Sequence, residues 1–174
     1  MSLIKKSKYL TLLLRHNPEK ESLVMDKYGW VSRNKLIIAL NISNDDLDEI
    51  VNYDEKSRFE FSKNKAKIRA CQGHSVDILL GITPSKPPKH LYHGTSETNR
   101  MDIITEGISK MKRNHVHLSE DIDTAISVGS RHGSPSVLTV SSEEMYDDGI
   151  KFYFTTNEVW LTEHVPPRYI KLNL

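Results

Sequence analysis

Arg58-Phe59-Glu60-Phe61-Ser62-Lys63-Asn64-Lys65-Ala66-Lys67-Ile68-Arg69-Ala70 is where the apolar rhythm of the chain changes. Phe59 and Phe61 alternate with Arg58 and Glu60, then Ala66, Ile68 and Ala70 alternate with Lys65, Lys67 and Arg69. A period of 2 predicts two strands, and Ser62-Lys63-Asn64 supplies the turn between them. Upstream the period is 3.6. Leu10, Leu13 and Leu14, between Lys5 and Arg15, predict a first helix that Pro18 stops. Ser32 is placed to cap a second helix carrying Leu36, Ile37 and Leu40, and Ser43 to cap a third carrying Leu47, Ile50 and Val51.

Three helices followed by a hairpin with a basic face is the element order of a winged helix, an arrangement frequent among nucleic-acid binders. A helical domain with a solvated, lysine-rich hairpin is the alternative. Charge separates along the chain: residues 1–90 carry 16 Lys+Arg against 11 Asp+Glu, residues 91–174 carry 8 against 12. The first half, at +5, is thus the candidate polyanion binder and the second, at −4, is not; chance scatter of a few charges is the competing explanation. Ile82-Thr83-Pro84-Ser85-Lys86-Pro87-Pro88-Lys89 disfavours helix and sheet alike. The expected division is a first lobe over 1–83, a proline-rich linker over 84–90 and a second lobe over 91–174.

The second lobe reads as short strands broken by short helices. Strands are expected at Leu91-Tyr92-His93, Val116-His117-Leu118, Val137 to Val140, Lys151 to Phe154 and Val159 to Leu161. Helices are expected from Glu97 to Glu106, stopped by Gly107, and from Asp121 to Val128, stopped by Gly129. The fold class is α+β, with a mostly antiparallel sheet in this lobe.

Composition excludes several function classes. With 27% charged and 37% hydrophobic residues among 174, the chain is an ordinary globular protein. The single cysteine, Cys71, forms no internal disulfide and points to a reducing compartment. No secretory h-region follows the N-terminal lysines and no apolar run approaches the roughly 18 residues of a membrane span, so a cytoplasmic protein without a membrane partner is expected. Five of the eight histidines, His90, His93, His115, His117 and His132, fall in one region. Yet there is no H-E-x-x-H helix and no thiolate pair, so no metal is expected. Neither G-x-G-x-x-G nor G-x-x-x-x-G-K-[ST] occurs, so a bound nucleotide is held some other way.

Arg15-His16 closes the first helix just before Asn17-Pro18. An arginine offers a planar fork matched to phosphate oxygens, and a neighbouring histidine adds a hydrogen bond or a proton near neutral pH. A helix C-terminus whose dipole favours cations accounts for the pair with no function at all and, on these residues alone, is the simpler reading. Arg58, at the start of the hairpin, can reach a phosphate, while Arg69, Gln72 and His74 can contact RNA backbone or ribose hydroxyls. A solvated strand face followed by an ordinary turn at Gly73 is the rival reading.

Taken together, Leu12-Leu13-Leu14-Arg15-His16-Asn17-Pro18, Tyr28-Gly29-Trp30-Val31, Ser57-Arg58-Phe59, Arg69-Ala70-Cys71-Gln72-Gly73-His74-Ser75, Leu91-Tyr92-His93-Gly94-Thr95, Val116-His117-Leu118-Ser119, Val128-Gly129-Ser130-Arg131-His132-Gly133 and Val159-Trp160-Leu161-Thr162 resemble, in order, the motifs of the RNA 2′-phosphotransferase family. The resemblance spans residues 7–167. It implies an N-terminal winged-helix lobe for RNA and a C-terminal ADP-ribosyltransferase-like lobe for NAD. The family's catalytic tetrad falls on Arg15, His16, Arg58 and Arg113, with Arg69 and Arg131 the neighbouring alternatives to the last two. Its signature of two histidines and a hydrophobic residue falls on His93, His117 and Val159, where related transferases carry a glutamate at the third position. The implied NAD contacts are His93, Gly94, Thr95, His117, Ser119, Arg131 and His132.

The resemblance further implies that the protein, as a monomer, consumes NAD to remove an internal 2′-phosphate from a tRNA-like RNA, as in tRNA splicing. An RNA 2′-phosphate is already an anionic nucleophile, which accounts for the missing glutamate: no general base is needed. An ADP-ribosyltransferase that stops after the first step, or a non-catalytic RNA-binding module, are the alternatives.

Overall fold

The computed structural model of the protein describes residues 3–79, 81–131 and 133–172. The chain divides into two compact units, Met1–Gly81 and Ile82–Leu174.

The first unit runs α1 (Leu3–Arg15), a 3-10 turn (Pro18–Glu21), β1 (Val31–Ser32), α2 (Arg33–Leu40), α3 (Asn44–Asn52), β2 (Phe59–Phe61) and β3 (Lys67–Ala70). The expected caps are in place. Ser32 Oγ accepts from Lys35 N, and Ser43 with Asp46 closes a reciprocal capping box at the start of α3. These starts set the phase that turns Leu36, Leu47 and Ile50 onto Leu10, Leu13 and Leu14, and Phe59, Ile68 and Ala70 of the hairpin complete the same core. The sheet order is β1-β3-β2, antiparallel throughout, with Val31 opposite Ile68 and Phe59 opposite Ala70. The hairpin turn reaches further than Ser62–Asn64: Lys65 adopts φ +54° and its amide donates to Ser62 O at 2.7 Å. A buried cation, Arg33, ties α2 to α3 through Asn44 Oδ1 (3.0 Å) and Asp48 Oδ1 (3.0 Å).

The second unit runs β4 (Leu91–Ser96), α4 (Glu97–Glu106), β5 (Ile108–Ser109), β6 (Val116–Leu118), α5 (Ile122–Gly129), β7 (Pro135–Val140), α6 (Ser142–Asp147), β8 (Tyr153–Phe154), β9 (Trp160–Thr162), β10 (His164–Val165), a 3-10 turn (Pro167–Tyr169) and β11 (Ile170–Leu172). Two three-stranded sheets, β11-β7-β4 and β6-β9-β8, and the pair β10-β5 are all antiparallel. The core gathers Leu91, Val116, Leu118, Val140, Met145, Phe152 and Trp160. The proline-bearing stretch packs with this unit: Ser85 N donates to Phe152 O at 2.9 Å, Ser142 Oγ to Pro88 O at 2.6 Å, and Pro87 is buried.

The chain is therefore a mixed α/β protein, with small antiparallel sheets and six α-helices among the described residues. None of the helices among those residues is long and apolar enough to cross a membrane. Two expectations need correcting. The strand expected over Lys151 to Phe154 is confined to Tyr153–Phe154, and Gly129 does not stop α5 but is its last residue, with Ser130 as the cap. The reason for Gly129 is close approach. A Cβ there would lie 2.5 Å from Thr95 O, just as a Cβ at Gly94 would lie 1.8 Å from Ala125 O. Strand β4 and helix α5 thus touch backbone to backbone. Gly94→Ala is expected to lower stability by about 3 kcal/mol or more, because main chain cannot yield as a flexible side chain does. Thermal unfolding checks this, and an unchanged Tm would contradict the contact.

Candidate functional site

Helix α1 ends where it does because Pro18 has no amide to continue it, and Asn17 caps the following 3-10 turn by accepting from Lys20 N at 3.2 Å. With Leu13 and Leu14 buried, the next two residues, Arg15 and His16, emerge at the helix end. The segment after β3 comes back to meet them. Gly73 takes φ +86°, a left-handed conformation natural to glycine, and a Cβ there would lie 3.2 Å from Arg15 Cζ and Nη1. The guanidinium of Arg15 thus rests against the Gly73 backbone. Two residues on, Ser75 N donates to Arg15 O at 2.9 Å, and Ser75 Oγ lies 2.9 Å from His16 Nδ1.

The other end of the same segment holds Arg58. Cys71 N donates to Arg58 O at 2.8 Å. Arg58 in turn donates both its backbone amide and its Nη1 to Asp54, whose side chain is only 3% exposed. Five residues, Cys71–Ser75, therefore gather Arg15, His16 and Arg58 from the end of α1 and the start of β2. Gln72 is half-buried within that segment. Arg69 is tied down: Nε donates to Glu60 Oε1 at 2.6 Å, Nη1 to Tyr28 O at 3.3 Å, and its guanidinium stacks 4.4 Å from the Trp30 ring. Asp54, Trp30 and Ser75 were not singled out from sequence. An acidic residue four positions before an arginine, just past a helix, was the available signal for the first.

His74 is buried at 4% exposure, against Gly29, and its Nε2 finds no hydrogen-bond partner among the described residues. Burial, followed by the positive charges of Arg15, Arg69 and His16, pushes its pKa down to about 4. The ring stays neutral, so it adds no positive charge beside the two arginines.

In the second unit, paired backbone hydrogen bonds between Tyr92 and Ser119 (2.8 and 2.9 Å) bring β4 beside the end of β6. His93 Nδ1 lies 3.2 Å from the His117 carbonyl, which can only accept, so His93 carries its proton on Nδ1 and offers Nε2 as an acceptor. Burial first, and Arg113 after it, hold its pKa below the ordinary histidine value, against the opposing pull of the carbonyl. Arg113 Nη1 lies 3.4 Å from His117 Nδ1. An arginine only donates, so His117 accepts at Nδ1 and carries its proton on Nε2. The two histidines thus take opposite tautomers, one an acceptor and the other a donor.

Thr95 is buried, Ser119 half-buried, and Gly94 is required for the contact with α5. Arg131 is exposed just past α5, and His132 lies outside the described residues. Val159 is half-buried at the entry to β9; its carbonyl accepts from Thr155 N and Oγ1, and its amide donates to Thr155 Oγ1. Among the described residues no group of three His, Cys, Asp or Glu side chains is arranged to hold a metal ion.

The neutral state of His74 has a consequence for stability. The folded protein keeps the ring unprotonated, whereas the unfolded chain takes up a proton below the ordinary histidine value of about 6.5. Stability is therefore full above that pH, falls as pH drops through it, and levels off below about 4. The loss from this residue between pH 7.5 and pH 5 is about 2 kcal/mol. Denaturant unfolding at the two pH values should show a smaller loss in His74→Gln than in the unsubstituted protein. Equal losses would mean that the buried ring is not what titrates.

The family described as RNA 2'-phosphotransferase, Tpt1 / KptA family matches residues 2–164. A protein from Flavobacterium johnsoniae named probable RNA 2'-phosphotransferase is 48% identical over 170 residues, covering 95% of this chain and 93% of that one. Proteins of the same name from Trichormus variabilis and Hahella chejuensis are 45% and 44% identical, covering 97% and 96% of this chain and 96% and 92% of theirs. With nearly the whole chain matched at this identity, the protein belongs to the RNA 2′-phosphotransferase family.

Proposed function

We propose that the protein removes an internal 2′-phosphate from RNA by transferring it to NAD, which is consumed. The observation that carries this reading is the gathering of Arg15, His16 and Arg58 by the single segment Cys71–Ser75. Two arginine forks and a histidine held on one short backbone run suit a doubly charged phosphate better than they suit a solvated surface. Family membership and the names of the relatives support the RNA 2′-phosphotransfer part of this reading.

In this reading the first unit is a winged-helix lobe that takes the RNA, and the second an ADP-ribosyltransferase-like lobe that takes NAD. The helix order and basic hairpin of the one, and the small antiparallel sheets of the other, fit those roles. His93, with an acceptor at Nε2, and His117, with a donor, suit the hydroxyl groups of ribose. Gly94, Thr95, Ser119, Arg131 and His132 complete the proposed NAD contacts, and Gln72 the RNA contact; Arg69, engaged by Glu60 and Tyr28, and the buried His74 support that contact from behind rather than reach the RNA themselves.

Chemistry proceeds in two steps. The RNA 2′-phosphate oxygen attacks C1″ of the nicotinamide ribose, the C–N bond breaks, and nicotinamide leaves, giving ADP-ribosylated RNA. The ribose 2″-OH then attacks that phosphorus. The bond to the RNA 2′-oxygen breaks, the proton passes to that oxygen, and ADP-ribose 1″,2″-cyclic phosphate is released from 2′-OH RNA. Arg15, Arg58 and Arg113 neutralise phosphate charge, most of all at the crowded phosphorus of the second step. His16, held by Ser75, assists the proton transfer in that step.

Incubating the protein with an RNA oligonucleotide bearing one internal 2′-phosphate tests this directly. Loss of the phosphate only when NAD is present, with nicotinamide and the cyclic phosphate as products, is expected. A persistent ADP-ribosyl RNA would identify a transferase that stops after the first step. An intact 2′-phosphate with folded protein would leave an RNA-binding module. In His16→Ala the second step should slow by about a hundredfold or more while the first continues, so ADP-ribosylated RNA accumulates. Gel-shift analysis of the RNA reads this out, and a variant that slows both steps equally would remove His16 from the proposed role.

A further inference from the structure

We propose that Asp54 is the positioning residue of the reaction, fixing the Arg58 guanidinium in the orientation in which it meets the phosphate. The inference rests on the reading of Arg58 as a phosphate clamp given above.

Chain geometry brings the two residues together. After α3 the turn closes with Ser57 N donating to Asp54 O at 2.7 Å, and Ser57 itself adopts φ +43°, an uncommon conformation for a residue with a Cβ. This fold-back returns Arg58 to the Asp54 carboxylate. One carboxylate oxygen accepts from the Arg58 backbone amide and the other from Arg58 Nη1. A single carboxylate thus bridges the main chain and the tip of the same residue, closing a ring that leaves the side chain little rotamer freedom. Meanwhile Cys71 N holds Arg58 O from the other side.

Burial makes the arrangement one-directional. The Asp54 side chain is 3% exposed, and among the described residues its bonds go to Arg58 alone. A carboxylate taken from water needs its partner, so Arg58 is held to it. The Arg58 side chain, at 29% exposure, keeps part of its surface open. Of its five N–H donors, one of the two on Nη1 is engaged by Asp54, leaving others for two-point contact with phosphate oxygens. Without Asp54 the guanidinium would still be present and still cationic, but it would have to be oriented in each turnover. That loss falls on turnover more than on binding.

The test is a double-mutant cycle in the full chain, using Asp54→Asn, Asp54→Ser, Arg58→Ala and the Asp54→Asn/Arg58→Ala pair, assayed on 2′-phosphorylated RNA with saturating NAD. Asn and Ser both keep an oxygen for the Arg58 amide, so at least one variant retaining the unsubstituted Tm is expected. In it kcat should fall about ten- to hundredfold without a rise in KM for RNA. Arg58→Ala should fall at least as far, and the double variant should be no slower than Arg58→Ala within about twofold, because Asp54 has nothing left to orient. The double variant should also melt above Arg58→Ala, whose buried carboxylate has lost its partner.

A fully active Asp54 variant beside an impaired Arg58→Ala would overturn the inference, as would multiplicative losses in the double variant. Loss of fold in both Asp54→Asn and Asp54→Ser would do the same by making Asp54 a structural residue. Full activity of Arg58→Ala would instead overturn the clamp on which the inference rests, so the two failures are distinguishable.

Discussion

Two main-chain hydrogen bonds set the working geometry of the first unit: Cys71 N to Arg58 O and Ser75 N to Arg15 O. The residues that donate them are four apart, so the chain between them spans at most roughly 14 Å. That bound ties the start of β2 to the end of α1, two elements separated by more than forty residues of sequence. Gly73 lets the tie follow a path that brings backbone against the Arg15 guanidinium. The core beneath, built from Leu10, Leu13 and Leu14 with Phe59, Ile68 and Ala70, sets the level at which both ends arrive.

Bringing several cations together costs energy unless each is separately compensated. The chain uses a different device at each position. Arg58 has a buried carboxylate, Arg69 has Glu60 and the face of Trp30, and His74 is kept neutral by burial. Arg69 illustrates how a basic residue in a recognisable motif can be structurally committed: its fork spans β2 and the loop before β1. The net positive charge of the first ninety residues therefore says less about a phosphate site than does the accounting of which guanidinium has which neighbour.

Much of the first unit could be read from periodicity and caps, because Ser32 and Ser43 cap helices whose apolar spacing is regular and the hairpin alternates cleanly. What escaped were elements too short to carry a period. β1 is two residues, visible only through its pairing with β3, and α6 is six residues in which Ser-Glu-Glu-Met-Tyr-Asp shows no repeat. Gly129 was misread because a glycine near a helix end is more often a stop than a contact, and only the distance to Thr95 O distinguishes them. The candidate residues Arg15, His16 and Arg58 stand out in the sequence as a motif, and one short segment gathers them. Asp54 stands in none of the motifs and Trp30 stands in one without a role, since what they do depends on a turn and a stacking distance that no linear spacing specifies.

Where Gly94 and Gly129 meet β4 and α5, main chain faces main chain with no side chain between. The separation of strand and helix is then fixed by the radii of backbone atoms, which are the same whatever residues the core contains. Repacking of Leu91, Val140 or Met145 would alter volumes elsewhere without changing this spacing. The strand that carries His93 and Thr95 is in that sense gauged against a standard that sequence drift in the core cannot rescale, while the two glycines themselves have almost no permitted substitutions.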